Sequence, residues 1–265
     1  MAGTRDSRHG EPDMSVKTIA AIVVIAAAFG PGRGVAQQPA ASQLVSGSVY
    51  DGEHLFGGTW PAPLYAVRLE VTESPGIDHL RAVSLDQSGR VFLVQTVDFD
   101  GGVPRLFSLS NVALNQTGAL TVTGSELVME FTENGTMKTA REPRPALFAV
   151  GPSVSRLIEQ HVASISEGKP LEFRMVVVNR LQTYGFRASR DVERVNEELA
   201  QVRSGEWMRI RLEPSSAVAR LFAPKILMIV DTKRGETIMM SAPLPSPDPH
   251  LGTLKRGTIR YNAPR

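Results

Sequence analysis

The groups in this sequence that could do chemistry are a few histidines, serines and carboxylates, and their spacing decides whether they can. Beyond residue 36 the histidines are His54, His79, His161 and His250, widely separated. None has a second histidine or a carboxylate at metal-ligand spacing, so no zinc site is expected. His161 falls beside an apolar stripe and reads as a boundary residue rather than a general base. No G-x-S-x-G elbow occurs, and Ser153 and Ser155 read as helix-capping residues. Asp98-Phe99-Asp100-Gly101 begins like a calcium loop but lacks the later ligands and the closing glutamate, which leaves a hairpin turn. Gly57-Gly58 and Gly101-Gly102 are too short to cradle phosphate. Asn115-Gln116-Thr117 and Asn134-Gly135-Thr136 match glycosylation acceptors where turns are expected in any case. With no cysteine in the chain, thiolate metal sites, cysteine nucleophiles and a lipidated cysteine are all excluded. The expectation is a protein with no catalytic residue, no metal and no cofactor.

The strongest signal of location precedes all of these residues. Lys17 followed by the apolar run 18–29, a Gly30-Pro31-Gly32 break and small residues at Gly34 and Ala36 reads as a secretory signal peptide cleaved near Ala36. The run is short for a membrane span. Met14 reads as the initiator and residues 1–13 as an upstream extension. Without the leader region's Arg5, Arg8, Lys17, Arg33 and its three acids, 25 basic residues face 24 acidic ones. So even a balance gives no support to nucleic-acid binding. No second long apolar segment follows, so a periplasmic or secreted protein with no transmembrane anchor is expected.

The elements after the leader are mostly β. Residues 37–58, rich in Gln, Ser, Gly and Ala, read as a flexible arm before a single β-rich domain over 59–265. Tyr65, Val67, Leu69 and Val71 alternate with Ala66, Arg68 and Glu70, the mark of a strand with one wet face. Further strands are expected at 81–85, 90–99, 106–114, 120–122, 126–131 and 136–141, with turns at Gly101-Gly102 and Asn134-Gly135. This first meander spans 59–142. Val154, Leu157, Ile158, Val162 and Ile165 then make one apolar stripe at helical spacing, predicting a helix over 153–167. A second meander is expected over 170–262, with strands at 171–179, 182–189, 207–212, 225–230, 236–240 and 253–261. In 207–212, Met208, Ile210 and Leu212 point inward and Arg209 and Arg211 outward. The continuous apolar run 225–230 reads as a buried central strand. Residues 243–249 read as a proline-rich loop interrupting the sheet. Segment 191–202 fits either a helix or a long hairpin, and 215–222 either a helical turn or an irregular crossover. The fold class is α+β, predominantly antiparallel, a curved sheet or half-barrel packed on one main helix.

Apolar residues of the second meander are the candidates for a ligand cavity: Phe173, Met175, Val177, Met208, Ile210, Ile226 and Met228. Met239 and Met240 lie near them. Methionine is adaptable and over-used where variable apolar ligands must fit, although the same residues could simply fill the core. Three segments carry a resemblance: Glu167-Gly168-Lys169-Pro170-Leu171-Glu172-Phe173-Arg174, Asn179-Arg180-Leu181 through Tyr184-Gly185-Phe186, and Arg211-Leu212-Glu213-Pro214-Ser215-Ser216. In their order after the helix they resemble bacterial secreted proteins of unknown function with a periplasmic lipoprotein-carrier-like half-barrel. The resemblance covers residues 153–231 and implies a fold, with a ligand-handling role by analogy and no catalytic residue. The expected function is therefore non-enzymatic: an exported protein binding or carrying a lipid or other apolar ligand in a half-barrel. The alternative is a cell-envelope interaction or assembly protein with a filled core and an exposed β edge.

Overall fold

Hydrophobic alternation along most of the chain organises one very large sheet. A computed structural model describes residues 42–53, 60–74, 77–193, 200–222, 225–248 and 253–262. The first eight strands are β1 (Ser42–Asp51), β2 (Tyr65–Ser74), β3 (Ile77–Leu85), β4 (Val91–Asp100), β5 (Val103–Asn111), β6 (Gln116–Thr123), β7 (Glu126–Glu133) and β8 (Thr136–Pro143). A short strand β9 (Phe148–Val150) leads into α1 (Ser153–Gln160) and α2 (Val162–Ser166). Then come β10 (Leu171–Val177), a 3-10 turn (Val178–Arg180), β11 (Gln182–Arg190), α3 (Ala200–Arg203), β12 (Trp207–Pro214) and α4 (Ala217–Phe222). The chain finishes with β13 (Ile226–Asp231), β14 (Thr237–Pro245) and β15 (Thr253–Tyr261).

All fifteen strands join one curved, unclosed sheet, ordered from the β8 edge through β1 and β15 to the β9 edge. Every pairing is antiparallel except β9 with β10. From β1 at the middle of the sheet the chain walks out to β8, crosses to the opposite edge, and walks back until β15 lies against β1. Residues 144–147 alone carry it from β8 to β9. So short a link spans at most roughly 18 Å, which forces the two edges of a fifteen-stranded sheet to approach each other. One continuous apolar core receives side chains from both halves of the sheet and from α1 and α2.

Local chemistry accounts for the pattern. In β5, Phe107, Leu109 and Asn111 are buried while Arg105, Ser108 and Ser110 are exposed, as a strand with one wet face requires. The β7–β8 turn places Asn134 at φ 50° and Gly135 at 78°. These are the paired left-handed positions of a two-residue hairpin, and they suit Asn-Gly.

Three expectations are corrected. Residues 42–51 of the expected arm form β1, paired on both sides by β2 and β15. Val45 and Val49 face the core, and Gly47 is there because a Cβ would meet the Tyr261 ring and the Arg260 carbonyl at 3.0 Å. A tight crossing of aromatic and backbone thus resembles low complexity in the sequence. The expected helix over 153–167 is two helices, broken at His161, whose N–H turns back to the Ile158 carbonyl. The proline-rich segment does not interrupt the sheet at its start: β14 continues through Pro245, with Leu244 opposite Leu254 and Pro245 opposite Thr253. A register shift between Ala242 and Leu244 skips Pro243, so the residue that lacks an N–H is not asked for one. Of the undecided segments, 215–222 contains α4, and 191–202 runs into α3 at its end, with residues 194–199 outside the described residues. The leader 14–36, residues 37–41 and 54–59, His54 and His250 lie outside the described residues.

Candidate functional site

The seven apolar candidates are brought together into the core. Phe173, Met175 and Val177 are buried on β10, and Phe173 meets the Phe186 ring at 6.1 Å between centroids. Met208 and Ile210 on β12 stand opposite Val230 and Met228 on β13, and Ile226 stands opposite Leu212. All seven are at most 5% exposed. A cavity touching Met175 and Val177, bounded also by Gln95, Phe107, Leu109 and Gly151, has a volume of about 30 Å³. That accommodates one water. Gly151 lets the walls meet here, since at φ 49° its Cβ would come within 2.7 Å of Phe107.

Two larger spaces open outward, one within the second half of the sheet and one between the two halves. A groove of about 420 Å³ is walled by Arg174, Tyr184, Phe186, Pro214, Ser215 and Ala219. A cleft of about 540 Å³ is lined by Phe131, Glu133, Thr136, Lys138, Arg180 and Leu181. Between β8 and β11 the Glu142 carboxylate accepts Thr183 Oγ1–H at 2.6 Å and the Thr183 backbone N–H at 3.2 Å. Arg174 Nη2 donates to the Thr183 carbonyl at 2.8 Å and to its hydroxyl at 2.7 Å. One carboxylate therefore satisfies a β11 donor that lies short of the β12 pairing, which begins at Phe186, where a backbone ladder would otherwise be needed. Nothing in the sequence singled out Glu142 or Thr183, which lie 41 residues apart.

Helix α1 carries a second polar set. Arg156 pairs with Asp78 of β3 and lies 4.6 Å over the Phe99 ring. The Glu159 carboxylate accepts the Thr237 N–H of β14 at 3.0 Å. Burial pushes the phenols of Tyr65 and Tyr261 well above the ordinary tyrosine range, and the charges of Glu159 and Tyr65 push Tyr261 the same way. Both tyrosines remain protonated hydroxyls, unsuited to act as bases near neutrality.

The residues first weighed for chemistry are scattered. His79 Nδ1 lies 2.7 Å from Asp98 Oδ1 on the exposed face of β3 and β4. His161 Nδ1 lies 2.9 Å from the Leu157 carbonyl, at the helix break. Ser153 Oγ accepts the Val150 N–H at 2.8 Å, and Asp98 and Asp100 belong to β4 beside a tight turn. Asn115 and Asn134 occupy neighbouring exposed turns, linked by the Asn134 N–H to the Asn115 carbonyl. Among the described residues no group of three or more His, Asp or Glu could hold a metal ion, and no helix is long and apolar enough to cross a membrane. No family model matches the chain, and no curated protein or solved structure shows significant similarity to it.

Proposed function

We propose that this chain is an exported, non-enzymatic binding protein of the cell envelope, whose unclosed half-barrel encloses a filled core and works through its outer surface. The observation that carries this reading is the burial of all seven apolar candidates, of which only Met175 and Val177 border a space, one with room for a single water. An acyl chain needs a cavity of several hundred Å³. Export rests on the leader-like segment 14–36. Packing of the sheet on α1 as its main helix is supported by the Arg156–Asp78 and Glu159–Thr237 contacts, which tie one helix to strands on either side of β1. In-cell photo-crosslinking from exposed sheet positions tests the reading. It expects a single defined protein partner; loss of all crosslinks together with uptake of a fluorescent fatty acid would overturn it.

A second reading, carriage of an apolar ligand as in the lipoprotein-carrier-like proteins, draws support from one feature. The 420 Å³ groove has the buried Phe186 as its back wall, and Phe186 touches Phe173. A ligand would then sit at the fork where β12 parts from β11, outside the barrel interior.

A further inference from the structure

The β8 edge approaches the 3-10 turn and the start of β11 without pairing, and the gap between them widens along β8. At Glu142 it is closed by the hydrogen bonds to Thr183. Toward the start of β8 it widens into the 540 Å³ cleft between Thr136 and Lys138 on one side and Arg180 and Leu181 on the other. The β7–β8 hairpin closes at Glu133 and Thr136, and Arg144 N–H bonds the Ser125 carbonyl at its far end. Antiparallel alternation from these fixed points directs the main-chain groups of Thr136, Lys138, Ala140 and Glu142 toward β7. Met137, Thr139 and Arg141 direct theirs away from it, and Pro143 ends the free run. Three consecutive outward N–H and C=O pairs are what an added strand needs.

The side chains around that edge define what can add. Lys138, which is exposed, and Arg180 line the cleft together with Glu133, whose carboxylate accepts Gln116 Nε2 at 2.6 Å. Phe131 and Leu181 supply apolar wall, and Met137 on the outer face is 64% exposed. We infer that the β8 edge is a docking site for an extended acidic peptide of a partner protein, which adds as a strand with carboxylates toward Lys138 and Arg180 and apolar side chains toward Met137. This rests on the reading of the chain as an interaction protein with a filled core, and names its working surface. The same cations that blunt the edge against neutral or basic strands admit an acidic one.

The test uses the full chain and a fluorescein-labelled peptide of alternating glutamate and valine, followed by fluorescence anisotropy. Saturable binding is expected, weakening with added salt, and the lysine–valine counterpart should not bind. Lys138→Glu should weaken the acidic peptide by roughly three- to tenfold. Thr139→Pro removes an outward N–H without touching the β7 ladder, and should weaken binding on the order of tenfold while circular dichroism stays unchanged. Failure of the acidic peptide to bind, or binding indifferent to both substitutions, would overturn the inference. A photo-crosslinker at Met137 separates this from the wider reading. A partner captured at other exposed positions but never at Met137 would sink the docking edge and leave the interaction protein standing.

Discussion

The two halves of the sheet solve the same problem differently. In β2 and in β5 to β7 the strands bury one face and wet the other, so that Phe107 and Leu109 of β5 are buried between exposed Arg105, Ser108 and Ser110. From β12 to β14 both faces are covered. Ile226, Met228 and Val230 face the main core, while Leu227, Ile229 and Met239 pack with Trp60, Val202 and Trp207 into a second, smaller one. Beside that second core Arg209, 2% exposed, pairs with Asp191, 5% exposed, at 2.9 Å, and Arg211 reaches the same carboxylate at 2.6 Å. The first half has ion pairs too, but they are wet. Arg81 and Glu70, at 3.0 Å, are 46% and 40% exposed. The lesson is that alternation tells which face a residue takes, and the covering elements tell whether that face is dry.

That difference can be broken experimentally, and the largest effect is expected at the buried ion pair. Asp191→Ala strands Arg209 without its carboxylate and should cost about 3–5 kcal/mol in urea unfolding. Arg81→Ala in the first half should cost less than about 1 kcal/mol. Equal losses at the two sites would erase the distinction. Next, adjacent truncations along β13 should both be expensive. Met228→Ala and Ile229→Ala, each at 0% exposure on opposite faces, should lose about 2–5 kcal/mol apiece. On β4 the opposite is expected: Val97→Ala is costly, and the neighbouring Thr96→Ala stays within about 0.5 kcal/mol. A silent Ile229→Ala would mean that the outer face of the second half is wet.

The smallest expected effect is electrostatic and belongs to the β3–β4 hairpin. Asp86 accepts the Ser88 hydroxyl and the Ser88 and Arg90 backbone N–H groups. The Ser88 hydroxyl first, then the Arg90 N–H, hold its carboxyl down at about 2. Because the folded value lies below the unfolded one, this contribution is fully present above about pH 4 and is lost as pH falls toward 2. Asp86→Asn should flatten that part of the stability–pH curve, read by thermal unfolding between pH 2 and 5. An unchanged slope would show that the turn bonds do not bias ionisation.

How much was legible in the sequence follows from the same contrast. Strands of the one-faced half could be read from alternation, and the turn at Asn134-Gly135 from its dipeptide. The run at 225–230 announced a strand covered on both sides. Arg209 points away from the main core as its alternation implies, but its burial and its pairing with Asp191 are beyond what the local pattern can place. β1 was missed because Gly47 and its serine neighbours look like linker, whereas the glycine is demanded by Tyr261 across the β1–β15 pair. The gathering of Phe173, Met175, Met208 and Met228 on one face could be anticipated from period-two spacing. Whether they line a space or fill it depends on how closely β9 and the 3-10 turn approach β5 and β6, as where Gly118 lies under Val178. The Glu142–Thr183 bridge is a product of topology alone.

The central claim is that the sheet is packed solid within and acts from without. Native mass spectrometry of protein purified without detergent, followed by solvent extraction of the same sample, tests it most directly. The account predicts the mass of the bare polypeptide and an extract free of lipid; a stoichiometric acyl-chain adduct would contradict it.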